Sequence, residues 1–296
     1  MKRKALTVLL LVMVTSLLVS CSKKNDDREQ IQSGLETEVY SNLLDENSRE
    51  IVEAALLKAG IPAVDIESFI GQVDYFNSSI DEYGLVREGF KEKIPLQAPY
   101  DPYKMQDLWD ERNPDFMGYN CRITSYGLMK NLINIGNYEE DSSNILIFDE
   151  HSIENGPDSI FSQKEIKGFR TLYHSIDAEG AKNLEDNLSK VKDYWKSKKL
   201  SFEKAGASLI SVFFHEEEGY LFIGHVGILV PDIGGNLIFL EKVAFQEPYQ
   251  AIRFKDRNKL NEYLMGRYNN SWGQDTIPPF IMENDELMEG YKVTAV

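Results

Sequence analysis

The sequence predicts an α+β fold, and three observations carry that expectation. Apolar residues recur at helical spacing through the first half of the chain. After Ala207 the pattern changes to β-rich runs. Short polar turns separate those runs, so they read as an antiparallel meander rather than as strands joined by crossovers.

The chain opens on neither pattern. Lys2, Arg3 and Lys4 make a positive start, and residues 5–19 are apolar apart from Thr7, Thr15 and Ser16. That stretch is too short for a stable spanning helix. It ends in Leu18-Val19-Ser20-Cys21. Small residues there suit a narrow processing protease, and a thiol carries a diacylglycerol. Residues 1–20 therefore read as a lipoprotein signal peptide, with Cys21 as the lipidated residue. A plain secretory leader would need no cysteine, and a start-anchor helix would want more apolar length. Residues 21–38 are polar and charged with no apolar period, as in a flexible tether. The expectation is a protein on the extracytoplasmic face of the cell membrane. Two or three acyl chains such as palmitate anchor firmly where one is marginal.

The folded part is expected to begin near Val39. Asn47 or Ser48 caps a helix carrying Val52, Ala55, Leu56 and Ala59, stopped by Gly60 and Pro62. Ile66, Phe69, Ile70, Val73 and Phe76 mark one face of a second helix. Residues 84–117, with Pro95, Pro99, Pro102, Trp109 and Pro114, read as a long ordered connection that completes a helical N-terminal region over 39–117. A second domain is expected over 118–296. In it Gly118-Tyr119-Asn120-Cys121 opens a helix that buries Ile123, Tyr126, Met129, Leu132 and Ile133 and ends at Gly136. Residues 145–148 suggest a short strand, and Asp177 is expected to cap a helix carrying Leu184, Leu188, Val191 and Trp195. Strands follow at 207–214, 220–230, 236–243 and 249–254, then a helix around 259–266 and an extended segment near 279–282.

Composition narrows the function. The chain carries 15 Tyr, 15 Phe and 3 Trp, enough to fill a sizeable core, and a net charge of −16. So acidic a protein is repelled by nucleic acid and by anionic headgroups, and nucleic acid is not expected as a partner. His151, His174 and His215 show no paired metal-binding spacing, so no metal and no cofactor are expected. With Cys21 committed to lipid, Cys121 is alone in an exported chain.

Three residues could carry chemistry. Asn120 is a good cap, which sets Cys121 in a first helical turn where the dipole favours a thiolate and backbone N–H groups can hold an oxyanion. The alternative is a buried thiol acting as a small hydrophobe. His225 interrupts an apolar strand between Gly224 and Gly227, glycines that leave room for something to approach the ring. The alternative is a core histidine satisfied by a carbonyl. Glu241 stands in Ile238-Phe239-Leu240-Glu241 on the next strand. A register centred on residue 233 pairs it directly with His225, where it would orient the imidazole. The alternative is that Glu241 and Lys242 mark where the strand leaves the core. Tyr119 and Asn120 are expected to line the substrate cleft.

A cysteine heading a helix, followed by a meander strand that reads His225-Val226-Gly227-Ile228, resembles the papain-like fold of NlpC-type cell-wall peptidases. Residues 208–214 stand for that family's preceding strand, and Glu241 for the polar third residue on the strand after. The resemblance covers roughly 118–245. It implies a thiol hydrolase cleaving an amide, with cell-wall peptide as a substrate. The sequence differs at Arg122, where the family has Ser or Ala, and in a longer insert before the histidine strand. It also has Glu241 where His, Asn or Gln is common. The runs 40–48 (YSNLLDENS) and 118–124 (GYNCRIT), with Glu241-Lys242, Pro248-Tyr249-Gln250 and Arg253-Phe254, resemble Gram-positive lipoproteins of the domain-of-unknown-function family 4300. That resemblance implies a lipoprotein and carries no activity. The expected function is a membrane-anchored thiol hydrolase. The alternative is a noncatalytic binding or assembly lipoprotein of the same fold.

Overall fold

Among the described residues, a nine-stranded sheet, antiparallel at every pairing, organises the chain, with the last strands of the sequence at one edge and the first at the other. The computed structural model describes residues 38–94, 96–269 and 276–293. The leader, Cys21 and the tether to residue 37 lie outside the described residues.

The meander forms where the β-rich runs lie: β6 (Ser208–His215), β7 (Tyr220–Pro231), β8 (Leu237–Lys242) and β9 (Tyr249–Phe254). Both of its faces are buried, so the strands are apolar almost throughout. On one face Val226, Ile228, Val230, Ile238 and Leu240 join the larger core. On the other, Val212, Leu229, Phe239 and Ile252 meet Leu260, Tyr263 and Leu264 of α8 (Arg257–Tyr268). β10 (Phe280–Glu283) pairs with β6 and carries the short β11 (Glu286–Leu287).

The N-terminal residues join the same sheet. β1 (Glu38–Ser41) pairs with β9 and with β2 (Lys91–Lys93). Helices α1 (Glu46–Lys58) and α2 (Ala63–Ser79) pack Val52, Leu56, Phe69, Val73 and Phe76 into the larger core. Residues 39–117 and 118–296 therefore share one sheet and one core. Asp45 caps α1, its carboxylate accepting from the Ser48 N–H at 3.0 Å, in place of the expected Asn47 or Ser48. The expected connection over 84–117 contains a helix, α3 (Pro102–Arg112), capped by Asp101 with Pro102 at its first position, where a missing N–H costs nothing.

Helix α4 (Cys121–Met129) starts at the expected residue but stops before Gly136. Leu132 and Ile133 are buried outside it, and Ile133–Asn134 pairs as β3 with β5 (Ser201–Phe202). The strand expected at 145–148 is not formed. Asn144–Leu146 is a 3-10 turn leading into α5 (Ile147–Asn155), whose first turn carries Asp149 and Glu150, favourable at a helix start. α6 (Gln163–Tyr173) has a capping box between Ser162 and Glu165. Asp177 lies in β4 (Ile176–Asp177), while Asn183 caps α7 (Leu184–Ser197). Among the described residues, no helix is long and apolar enough to cross a membrane.

Candidate active site

Helix α4 begins where Asn120 caps it. The Asn120 backbone is extended, and its side-chain oxygen accepts the Ile123 N–H at 3.0 Å. Cys121 is thereby the first helical residue, at the positive end of the helix dipole. The approach to that cap passes close to the loop after β8. Gly118 has φ +95°, and a Cβ there would sit 2.4 Å from the Phe245 carbonyl oxygen. Only glycine combines that backbone with that clearance.

A β-bulge delivers His225. Val212 pairs with His225 and Phe213 with Ile223, which leaves Gly224 as the extra residue of β7. Ile223 and Val226 consequently both face the larger core, and His225 lies opposite Val212 on the side of α8. The flanking glycines make room for aromatic neighbours rather than for an incoming group. A Cβ on Gly224 would meet the Phe214 ring at 2.6 Å, and one on Gly227 the Phe239 ring at 2.3 Å.

The imidazole bridges two partners. Nε2 of His225 donates to Oε2 of Glu241 at 2.5 Å. The Cys121 thiol interacts with the same ring, and each shifts the other's titration; Nδ1 is the ring nitrogen that Glu241 leaves free. Glu241 is held in turn by Gln250, which donates from Nε2 to Oε1 at 2.5 Å, and by the Tyr263 hydroxyl. The ring of Tyr268 stacks on His225, centroids 4.7 Å apart and planes 23° from parallel. The observed register differs from the expected one by one step about its turn. The ladder runs from Pro231↔Leu237 to Ile228↔Leu240, centred on residue 234, because Asp232 and Asn236 close the turn between them. Continued by one pair, it sets Glu241 beside Gly227, two residues from His225 on the same face.

Toward the start of β7 the ladder with β8 is absent; β4 pairs with Tyr220 and Leu221, and Arg122 of α4 meets the strand between them. Arg122 donates from Nη1 to the Ile223 carbonyl at 3.1 Å. Its Nε and Nη2 grip Asp149 at 2.8 and 2.6 Å. Asp149 is fully buried and also accepts from Nδ2 of Asn120 at 2.7 Å.

These contacts set the charges. Burial raises the Cys121 pKa, but the hydrogen bond to His225 and the charges of His225 and Arg122 outweigh burial and Asp149, and the thiol titrates below its usual value. Burial lowers His225, while the Glu241 carboxylate and the thiol contact push it up to about 9. Burial raises Glu241, yet His225, Arg267 and the Tyr263 hydroxyl bring it down to about 2. The arrangement favours a thiolate–imidazolium pair with a carboxylate behind it.

The site is closed: Cys121 is 7 % exposed, and His225 and Glu241 are each 2 % exposed. Tyr119 and Asn120 do not line an open cleft. The Tyr119 ring packs edge-on against Phe116 at 5.0 Å, and its hydroxyl abuts Gly156. Both ends of the Asn120 amide are occupied, by Ile123 and Asp149. Asp149, Gln250, Tyr263 and Tyr268 are site residues that sequence reasoning does not find. Gln250 had a signal, a polar residue inside the apolar run of β9. The others come from distant helices and had none.

Lys242 is a further buried amine beside the site. Its ammonium lies 3.6 Å from the Phe76 ring centroid and 4.8 Å from that of Tyr249, and it donates to the carbonyls of Phe245 and Glu247. Burial pushes its pKa well below the usual lysine value. It pins the loop that crosses Gly118.

The chain belongs to the family described as Domain of unknown function (DUF4300), which matches residues 39–288. No curated protein and no solved structure matches it.

Proposed function

We propose that this protein is a thiol hydrolase of papain-like, NlpC-type architecture that cleaves an amide bond, with cell-wall peptide as its substrate class. In this reading it is held at the outer face of the cell membrane through lipid on Cys21. The observation that supports it most is the His225 ring, hydrogen-bonded to the Glu241 carboxylate and interacting with the Cys121 thiol that heads α4. A helix headed by the cysteine and packed on a meander whose central strand carries the histidine supports the fold reading.

The chemistry proceeds in two halves. The Cys121 thiolate attacks the amide carbonyl, and the C–N bond breaks as His225 gives its proton to the leaving amine. Water then gives a proton to His225 and attacks the thioester, releasing the acid and restoring the thiolate–imidazolium pair. Ile123 N–H is taken by the Asn120 side chain and Thr124 N–H by the Asn120 carbonyl. The N–H groups of Cys121 and Arg122 are the ones left to stabilise the oxyanion. Glu241 orients the ring and holds its positive charge.

The test is incubation of the full-length protein in detergent with cell-wall peptides, following newly released amines. Release that is lost in Cys121→Ser and His225→Ala supports the hydrolase. No release from any peptide, with the thiol freely alkylated in the folded protein, removes it. The burial of Cys121 favours a second reading, a noncatalytic binding or assembly lipoprotein of the same fold. On that reading, peptide capture survives Cys121→Ser.

A further inference from the structure

We propose that Arg122 is a positioning residue, one whose guanidinium fixes the first turn of α4 against β7 so that the Cys121 sulfur stays on the His225 ring. The inference rests on the hydrolase reading for its catalytic consequence, but its geometry and its first test do not.

Cys121 heads α4 and His225 stands on β7, which pairs with β8 only as far as Ile228 and with β4 at Tyr220 and Leu221. Between those pairings Arg122 is a side chain that ties α4 to the strand. One arm reaches the carbonyl of Ile223, separated from His225 only by the bulged Gly224. The other two nitrogens hold Asp149, which also holds Asn120, the cap of the same turn. Cys121 thus lies in sequence between two residues tied to one carboxylate. A planar fork can satisfy a carboxylate and a carbonyl at once, whereas an ammonium cannot reproduce that geometry.

Charge adds a second consequence. The groups that act electrostatically on the thiol or feel its charge are His225 from β7, Arg122 from α4, Asp149 from α5, Tyr173 from α6, Lys242 from β8 and Tyr268 from α8. Arg122 favours the thiolate and Asp149 opposes it. Burial and the surrounding acidic groups keep both phenols protonated, and burial works against a charge on Lys242.

The test is the rate of iodoacetamide alkylation against pH on the full-length protein in detergent, for wild type, Arg122→Lys, Arg122→Gln and His225→Ala. Arg122→Gln is expected to slow alkylation at mildly acid pH by about threefold or more. Arg122→Lys should restore part of that rate through its charge, yet leave kcat low at unchanged KM because the fork is gone. A folded Arg122→Gln protein with the wild-type profile overturns the proposal. Should that variant not fold, a Lys variant matching wild type in both profile and kcat overturns it instead. An unchanged profile in His225→Ala would sink the hydrolase reading, while the Arg122 result is read separately.

Discussion

Glu241 reaches His225 on a diagonal. The β7–β8 register sets Glu241 beside Gly227, and its carboxylate crosses to Nε2 of His225 at 2.5 Å while Gln250, its ladder partner on β9, holds the other oxygen. A side chain held from both neighbouring strands has little freedom to turn away from the imidazole.

Glu241→Gln is therefore expected to fold, because Gln250 and Tyr263 retain an oxygen to bond. It removes the charge that keeps His225 protonated, so the alkylation profile of Cys121 should move to higher pH and turnover should fall with it. An unaltered profile in the folded variant would reduce the site to a Cys121–His225 dyad.

Thermal stability should show two pH limbs. Glu241 is held at about 2, below its ordinary 4.5, so its contribution is present above 4.5 and drains as pH falls toward 2. His225 is raised from 6.5 to about 9, so its contribution is complete below 6.5 and drains as pH rises through 9. The lowered thiol pKa works the other way on the alkaline side. That limb is best measured in Cys121→Ser. Melting temperature in the Ser variant should peak between the two limbs, and Glu241→Gln should flatten both. A wild-type curve in the doubly substituted protein would contradict the pairing.

Two glycines should respond to alanine with opposite signs. Gly227→Ala drives a methyl into the Phe239 ring and the Leu240 carbonyl oxygen at 2.3 and 2.6 Å, and overpacking of that kind costs about 1–3 kcal/mol. Gly71, exposed in α2, has nothing within 4 Å of the place a Cβ would take, and Ala there should stabilise by about 0.5–1 kcal/mol. Denaturant midpoints measure both; a tolerated Gly227→Ala would mean that β7 relaxes around the site.

The anchor is tested apart from the fold. Cys21→Ala should abolish fatty-acid labelling and leave either an uncleaved precursor or protein released to the medium. Labelling that persists in this variant would end the lipoprotein reading.

The strands are the most legible elements. The run 249–254 forms a strand over those same residues, because Tyr249, Ile252 and Phe254 favour a strand and the sheet buries them. Two helices escape a reading by pattern although their caps are local. Asp101-Pro102 opens α3, and Ser162 with Glu165 closes a capping box on α6. Both are obscured by surroundings that read as loop. Residues 145–148 suggest a strand and form a helix start because four apolar residues fit either period. At the site, Cys121, His225 and Glu241 are legible because each is an odd residue in its own segment. Asp149 is not, since an acidic residue near a helix start is ordinary until Arg122 is seen to reach it. Arg122 itself stands out only as a departure from a resembling family.

Among the buried groups around the thiol, Cys121, Glu241 and Asp149 stand against His225, Arg122 and Arg267, while burial works against a charge on Lys242. A closed interior tolerates such a set because it is electroneutral. An alkyl group on the sulfur erases one negative charge and leaves the His225 imidazolium without that counter-charge in a closed interior. A stably alkylated Cys121 should accordingly melt lower and exchange its α4 amides faster than the free thiol form.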